Sequence, residues 1–274
     1  MTFNGTQTYL LGEGDVVVID PGPALPGHHD ALLEALAPGE RVVQILVTHS
    51  HLDHSPLAAP LAQTTGAPVL AAGPSEWGRR PVMQRLAESG MLGGGEGVDT
   101  TFAPDERIAQ GEQITGAWGS IEVLETPGHM ANHLSFAWED ALFSGDLVMG
   151  WSTSLVSPPD GDMTAFFASV EHLASRTADR VYYPGHGDPV VDPVVRCREL
   201  LEHRRGREAQ ILDALKKNGE ADAATLAARI YTDIAPALLP AAARNVLAHL
   251  IDLSDRGVIE ADGPITSTTH FLLE

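Results

Sequence analysis

Short apolar runs rich in β-branched residues recur along the first 190 or so residues, and each is closed by glycine, aspartate or proline. Runs such as VVVID and VVQILVT are too short to form a core helix, so they predict buried β-strands. The predicted strands are TYLLG, VVVID, VVQILVT, PVLAA, RIAQG, SIEVLET, LSFAW, ALFSGD and RVYYPG, and the predicted helices of this part lie near residues 29–37 and 164–177.

The pattern changes after about residue 195. Apolar residues spaced three and four apart predict helices in REAQILDALKKNG, ADAATLAARIY and PALLPAAARNVLAHLIDLSDRG. Two short strand-like pieces then flank the turn from Asp262 to Pro264. Three helices followed by a hairpin look like a winged helix. We therefore expect a first domain over residues 1–195 and a small winged-helix-like domain over residues 196–274.

Two stretches of the first domain lack a regular pattern. The glycine-rich stretch 88–106 cannot hold a regular element, so it is either a flexible connection or a lid. The stretch 150–162, GWSTSLVSPPDGD, directly follows one of the candidate ligands described below. It is the better candidate for a wall of the substrate site.

The string THSHLDH at residues 48–54 places three histidines and an aspartate in one turn after the strand VVQILV. Loops at strand ends are where a rigid scaffold presents functional side chains. Imidazoles and a carboxylate that converge without a cation would repel one another or stay underpaired. The string therefore predicts a site for one or two metal ions.

Three later segments repeat the order of strand, turn and ligand: ETPGHMANH at 125–133, ALFSGD at 141–146 and VYYPGHGDP at 181–189. Each has a glycine just before a histidine or aspartate, and glycine permits the tight backbone that lets a ligand crowd its neighbours. Each string alone is weak evidence. In this order after THSHLDH they support one another.

With these motifs, residues 7 to 190 resemble the metallo-β-lactamase-fold hydrolases. The resemblance implies an α/β fold, an αββα sandwich of two mixed sheets with helices outside and the metals at one edge. It also implies that one metal is held by His49, His51 and His129, that the second is held by Asp53, His54 and His186, and that Asp146 bridges the two. Oxygen and nitrogen ligands without a thiolate suit two zinc ions and also accept iron or manganese.

The expected reaction is hydrolysis by a hydroxide that bridges the two metals, with Asp53 and Asp146 orienting it and relaying its proton. Asp146 and the absence of a cysteine ligand disfavour a true β-lactamase, although weak promiscuous β-lactamase activity is common on this scaffold. The expected substrate is a small-molecule ester, thioester or lactone. The alternative is a metal-dependent endoribonuclease acting on single-stranded RNA, because a metallo-β-lactamase domain followed by a winged-helix-like tail resembles the beta-lactamase-like protein 2 family, which cleaves single-stranded RNA.

Charge bears on these alternatives. The formal net charge is −20, and an acidic surface repels polyanions, which counts against a nuclease. The helix at 196–208, RCRELLEHRRGRE, carries five arginines with interleaved glutamates. It is either a solvated helix or an anion-binding edge beside the active site. A third hypothesis, a non-enzymatic nucleic-acid-binding module, would leave the ligand motifs without a purpose.

Location and assembly follow from weaker signals. The amino terminus has neither a basic start nor a signal-like apolar core, the chain has no 18-residue apolar stretch, and its single cysteine excludes an internal disulfide. These features predict a cytoplasmic protein without a membrane partner. The tail offers few basic residues for DNA binding, so we read it as a packing or homodimerisation element that can also close one side of the active site.

Overall fold

The computed structural model describes residues 5–91 and 97–273. The first sheet is mixed and has five strands in chain order. Its first pair is antiparallel and the other pairs are parallel. The strands are β1 (Tyr9–Leu11), β2 (Asp15–Ile19), β3 (Arg41–Leu46), β4 (Val69–Ala71) and β5 (Glu106–Arg107).

The second sheet is also mixed. Its order is β10-β9-β8-β7-β6, and only the pair of β9 and β10 is parallel. The strands are β6 (Gln113–Gly116), β7 (Gly119–Glu125), β8 (Leu134–Trp138), β9 (Ala141–Gly145) and β10 (Val181–Pro184).

The two sheets face each other across an apolar core. Val17 and Ile19 of the first sheet pack with Ile121 and Phe136 of the second. Val18, between the first two, points to the opposite side and packs under the outer helices. Side chains alternate in direction along a strand, so a continuous apolar run buries both faces of its sheet.

Helices cover the outer faces. The helices of this part are α1 (Pro26–Glu34), α2 (Ala58–Thr65), α3 (Pro81–Glu88) and α4 (Met163–Ser175). Leu32 of α1 and Leu61 of α2 pack on the first sheet, and Val170 of α4 packs on the second. The predicted αββα sandwich is confirmed.

Several local predictions need correction. Helix α1 begins at Pro26 rather than at residue 29, since proline at the first helical position has a backbone angle already suited to a helix. Of the predicted strand RIAQG only Arg107 lies in a strand. Strand β6 was not predicted because three of its four residues are exposed, which leaves no apolar run. Helices α2 and α3 were also missed.

The C-terminal part holds three helices and a hairpin, as predicted. These elements are α5 (Pro193–Asn218), α6 (Ala223–Ile230), a 3₁₀ turn (Pro236–Leu238), α7 (Leu239–Asp255), and the antiparallel strands β11 (Ile259–Ala261) and β12 (Phe271–Leu273). Among the described residues, no helix is both long and apolar enough to cross a membrane. The cytoplasmic location and the homodimer stay predictions.

Helix α5 connects the two parts of the molecule. Cys197 and Leu200, in its first half, pack in the core beneath α4, whereas Ile211 and Leu215 pack with α6 and α7. The buried positions follow the helical spacing of three and four, so one face of α5 serves both cores. The division of the chain after residue 195 stays a prediction.

The irregular stretch 88–106 falls partly outside the described residues, which exclude 92–96. Its later part is attached to the THSHLDH loop: Leu52 N–H donates to the Gly97 carbonyl at 3.1 Å, and Asp99 N–H donates to the Ser50 carbonyl at 2.8 Å. Residues 97–99 therefore lie against the loop that carries the candidate ligands. Whether this stretch acts as a lid stays open.

Candidate dinuclear metal centre

The THSHLDH loop begins where the buried strand β3 ends, and Asp20 anchors it. Asp20 follows the neighbouring strand β2. Its Oδ1 accepts a hydrogen bond from the Thr48 backbone N–H at 2.7 Å. Its Oδ2 contacts the Thr48 hydroxyl at 2.7 Å and His54 Nδ1 at 2.9 Å. This buried carboxylate therefore fixes both the start of the loop and the orientation of one candidate ligand.

The other three candidate segments end at the same edge of the molecule. His129 follows β7, Asp146 follows β9 and His186 follows β10. The glycine before each of them has a steric role. A Cβ on Gly128 would overlap the backbone of Phe166, and a Cβ on Gly185 would lie 2.6 Å from His54 Cε1 and still closer to Asp146 Oδ1. A side chain at Gly185 would displace these two ligands, and one at Gly128 would push against α4.

Three predicted ligands form one group. His49 Nε2 and His129 Nε2 each lie 3.0 Å from His51 Nδ1. Asp146 Oδ2 lies 4.0 Å from His49 Nε2 and 3.7 Å from His129 Nε2. The candidate ligand atoms of these four residues all lie within 4.8 Å of one another. Nitrogen and oxygen atoms from three separate segments thus surround one point.

The remaining predicted ligands form a second, adjacent group. His186 Nε2 lies 3.2 Å from Asp53 Oδ2, and His54 Nε2 lies 3.4 Å from both Asp53 Oδ2 and His186 Nε2. Asp146 also reaches this group, at 3.2 Å from His186 and 3.5 Å from His54. All seven predicted residues are therefore brought together, and the Asp146 carboxylate lies between the two groups.

The hydrogen bonds of the outer imidazole nitrogens fit a metal site. His129 Nδ1 donates to the Leu155 carbonyl at 2.7 Å, and His186 Nδ1 donates to the Gly5 carbonyl at 2.9 Å. A carbonyl only accepts, so in the neutral imidazoles Nε2 presents a lone pair to the site. Such outer partners fix the tautomer of metal-binding histidines in other proteins.

The inner atoms also need a cation. His51 Nδ1 faces two other nitrogens at 3.0 Å, and one proton cannot satisfy both contacts well. Asp53 Oδ1 and Asp146 Oδ1 are buried and have no hydrogen-bond partner among the described residues. Buried polar atoms normally have partners, so lone pairs directed at one another fit bound metal ions. The donor set contains imidazole and carboxylate only.

The pKa values differ between the two groups. Burial, helped by the neighbouring histidines His54 and His51, lowers the pKa of His49 well below its usual value. Burial has the same effect on His186 but is outweighed by hydrogen bonds to Asp146 and Asp53, which raise its pKa to about 10. In the second group, metal ions would therefore have to displace protons.

His133, which lies four residues after His129, supports the site from behind. Its Nε2 accepts a hydrogen bond from the Asp146 backbone N–H at 3.2 Å, and its Nδ1 pairs with the Thr126 hydroxyl at 2.9 Å. Burial lowers the pKa of His133 to about 3, so the ring is neutral. His133 is therefore a hydrogen-bonded structural residue behind the site.

A cavity of about 320 Å³ opens from the two ligand groups. Residues 151–155, within the predicted wall 150–162, line one side, and the C-terminal helices supply the other. The sequence offered the helix at 196–208 as an anion-binding edge beside the active site, but it singled out none of the individual residues of this C-terminal lining. The signal for one of its members was present: Arg204 follows Cys197, Leu200 and Leu201 at helical spacing, so it lies on the buried stripe of α5. The other C-terminal residues that line the cavity include Tyr231, Ile234, Leu238 and Asn245.

Comparison with known proteins agrees with this geometry. The family described as "Metallo-beta-lactamase superfamily" matches residues 1–186, and "Beta-lactamase associated winged helix domain" matches residues 223–265. The "Beta-lactamase-like protein 2 homolog" of Caenorhabditis elegans is 31% identical over 266 residues, which cover 94% of this chain and 82% of that protein. The "Atrochrysone carboxyl ACP thioesterase" of Aspergillus chevalieri is 28% identical over 225 residues, which cover 80% of this chain and 63% of that protein.

The fold has a solved counterpart along almost its whole length. A crystal structure of a metallo-beta-lactamase family protein from Thermus thermophilus superposes with a TM-score of 0.75 at 24% identity, covering 98% of this chain and 94% of that one. The family matches, the sandwich and the His/Asp cluster therefore agree with one another. The chain belongs to the metallo-beta-lactamase superfamily of metal-dependent hydrolases, with a beta-lactamase-associated winged-helix domain in its C-terminal part.

Proposed function

We propose that this protein is a dinuclear zinc hydrolase that cleaves a small-molecule ester, thioester or lactone. The observation that carries the proposal is the position of Asp146. Its carboxylate lies within 4.0 Å of histidine nitrogens from both ligand groups. A carboxylate shared between two groups of nitrogen and oxygen atoms is suited to two adjacent cations.

The proposed ligands follow the two groups. His49, His51 and His129 would hold one ion, whereas Asp53, His54 and His186 would hold the other. Asp146 would contact both. Imidazole and carboxylate ligands suit zinc, and they also accept iron or manganese, so the metal must be measured.

Bound cations of this kind lower the pKa of coordinated water to roughly 7 and polarise a carbonyl oxygen, which supplies the hydrolytic chemistry. The protein residues supply orientation and proton transfer. Asp53 and Asp146 would orient the attacking water and relay its proton, because both carboxylates lie beside His54 and His186 in the second group. The Thr6 hydroxyl, which donates to Asp53 Oδ2 at 2.9 Å, limits the rotation of that carboxylate.

The cavity favours a small acyl substrate. Its wall on the C-terminal side is mostly apolar and includes Ile234, Leu238 and Ala241. An apolar wall beside a polar reaction centre is typical of sites that hold an acyl chain. Similarity to the atrochrysone carboxyl ACP thioesterase of Aspergillus chevalieri supports a thioester as the substrate within the proposed class.

The first experiment would combine metal analysis with a panel of substrates. Purified protein should contain about two zinc ions per chain and should hydrolyse at least one neutral ester, thioester or lactone. EDTA should abolish turnover, and zinc should restore it. The variant His51→Ala should lose both metal and turnover. His172→Ala, which removes an exposed histidine from α4, should keep both.

A fluorescent single-stranded RNA assayed at low salt tests the ribonuclease alternative. Cleavage by the zinc-loaded parent but not by His51→Ala, together with no turnover on the small-molecule panel, would replace the proposed function by an endoribonuclease. Metal-loaded protein that cleaves neither RNA nor any panel member would refute the proposed substrate class.

A further inference from the structure

One buried arginine of the cavity wall lacks an acidic partner. Arg204 lies on α5, is 2% exposed, and is the only lysine or arginine among the described residues that line the cavity. Two partly buried arginines of the chain, by contrast, pair with carboxylates. Arg80 binds Asp162, and Arg176 binds Asp179. Within the described ranges 5–91 and 97–273, no carboxylate lies within 4.0 Å of the Arg204 guanidinium.

The contacts of Arg204 hold it in place without neutralising it. Its Nη1 donates to Asn245 Oδ1 at 2.9 Å, and its Nη2 donates to the Ser154 carbonyl and, at 3.5 Å, to the Thr153 hydroxyl. A guanidinium has five N–H groups, so two are left over, one of them on the partnerless Nε. Burial lowers the pKa of Arg204 to about 10, which still leaves it charged at neutral pH.

A buried charge with only neutral partners is costly to the fold, because three hydrogen bonds and the face of the Phe166 ring recover only part of its lost hydration. Asn245 occupies a position from which an acidic side chain could pair with Arg204. Its Oδ1 accepts hydrogen bonds from both Arg204 and the Val156 backbone N–H, at 2.9 and 3.1 Å. An aspartate of nearly the same shape could make both contacts and would also neutralise the guanidinium, at the loss of the hydrogen bond that Asn245 Nδ2 donates to the Ala241 carbonyl at 3.2 Å. In a chain of formal net charge −20, this position instead leaves a positive charge in the cavity.

The cavity joins this charge to the reaction centre. Its lining includes His129 and Asp146 at one end and Arg204 on the wall made by α5, with the apolar side chains of Tyr231 and Ile234 nearby. We propose that Arg204 binds an anionic carboxylate or phosphate group of the substrate, while an apolar segment of that substrate packs against the C-terminal wall. This inference rests on the proposed hydrolase function and names the class of substrate it takes.

Matched substrates test the inference by catalysis. The carboxylate arm compares the hexanoyl and adipoyl thioesters of N-acetylcysteamine, which differ by a terminal carboxylate. The phosphate arm compares hexanoyl-pantetheine with hexanoyl-4′-phosphopantetheine. The parent should prefer the anionic member of at least one pair in kcat/KM. Which pair shows the preference tells whether the anion belongs to the acyl part or to the leaving group.

Three variants isolate the role of the arginine. Arg204→Met should lower the ratio of kcat/KM for anionic over neutral substrate about 10- to 100-fold, as expected for the loss of one charge-assisted hydrogen bond. Asn245→Asp keeps the arginine but neutralises it, so it should lower the same ratio even if Arg204→Met does not fold. Arg205→Met, which removes an exposed arginine paired with Glu171, should keep the parental ratio.

A binding measurement separates this inference from the proposed function. Hexanoate, n-hexyl phosphate and 1-hexanol are titrated calorimetrically into the metal-loaded parent and into metal-loaded Asn245→Asp. Because both proteins contain the metals, the difference between them excludes any binding of the anion to the metals. At least one anion should bind the parent about tenfold or more tightly than the variant, with hexanol unchanged. If no ester, thioester or lactone is hydrolysed but this difference appears, the hydrolase proposal fails and the anion site stands. Equal anion binding together with an unchanged kcat/KM ratio would overturn the anion site.

Discussion

Replacing Asp20 by asparagine should weaken the second metal group without removing any proposed ligand. Asp20 is buried, and its two oxygens contact the Thr48 backbone N–H, the Thr48 hydroxyl and His54 Nδ1 at 2.7 to 2.9 Å. Asparagine has one acceptor oxygen and one NH₂ group. If the NH₂ group faces the backbone N–H of Thr48, two hydrogen-bond donors meet, and neither of them can act as an acceptor. The NH₂ should therefore turn towards Thr48 Oγ1 and His54.

The hydroxyl can rotate and become an acceptor, but His54 Nδ1–H cannot donate to an NH₂ group. His54 must then break the contact or move its proton to Nε2, the nitrogen that faces Asp53, Asp146 and His186. Loss of such an outer partner typically costs 10- to 100-fold in metal affinity. Loss of one hydrogen bond to a buried charged group should also lower the free energy of unfolding by about 1 to 3 kcal/mol.

The assay is competition for zinc with a chromophoric chelator, followed by urea unfolding of the same samples. We expect one of the two ions to bind about 10- to 100-fold more weakly. The other should change less, because its proposed ligands contact Asp20 only through Thr48. Asp30→Asn, at an exposed carboxylate of α1, is the control. If Asp20→Asn binds both ions as tightly as this control, the assigned role of Asp20 is wrong.

Three further predictions concern space, protons and metal. Gly185→Ala should reduce zinc content because its Cβ would displace Asp146 and His54, whereas Gly206→Ala, with open space around it, should keep the zinc and stabilise α5 by about 0.5 to 1 kcal/mol; full zinc occupancy in Gly185→Ala would contradict this. His249 is buried and has no partner for either nitrogen among the described residues, and burial lowers its pKa to about 3. Its unfolded form takes up a proton below pH 6.5, so stability is lost as pH falls. Urea titrations at pH 7.5 and pH 5 should show that the parent loses about 2 kcal/mol more unfolding free energy than His249→Leu over this range. If the unfolding free energies of the two proteins change with pH in parallel, the prediction is wrong. Adding EDTA should lower the urea midpoint, since each ion at a free concentration one hundred times its Kd contributes about 2.7 kcal/mol; an unchanged midpoint would argue against metal-linked stability.

The sequence by itself determined most of the strands and the ligand-rich segments, and its resemblance to the metallo-β-lactamase-fold hydrolases implied the sandwich and the seven candidate ligands. Short β-branched runs specify buried strands regardless of their neighbours, and most of them form strands near the predicted positions. Histidines and aspartates placed just after such runs must meet, because the strand ends lie at one edge of the sandwich. The sequence also showed a glycine before each of His129, Asp146 and His186. The structure gives the reason, because close packing leaves no space for a side chain at these positions. Elements with weak apolar patterns, such as β6 and α2, escaped prediction.

Only the tertiary structure decided what surrounds those ligands. Asp20 and His54 are 34 residues apart, and Arg204 and Asn245 are 41 residues apart, so no local pattern joins either pair. From the sequence, the helix at 196–208 was compatible with either a solvated surface or an anion site. The rotation of this helix against the sandwich decides which of its arginines face solvent and which face the cavity. Arg205 points to Glu171 at the surface, whereas Arg204 is turned into the cavity. Local sequence sets the apolar stripe of a helix, but which buried side chain faces the reaction centre depends on packing between distant segments.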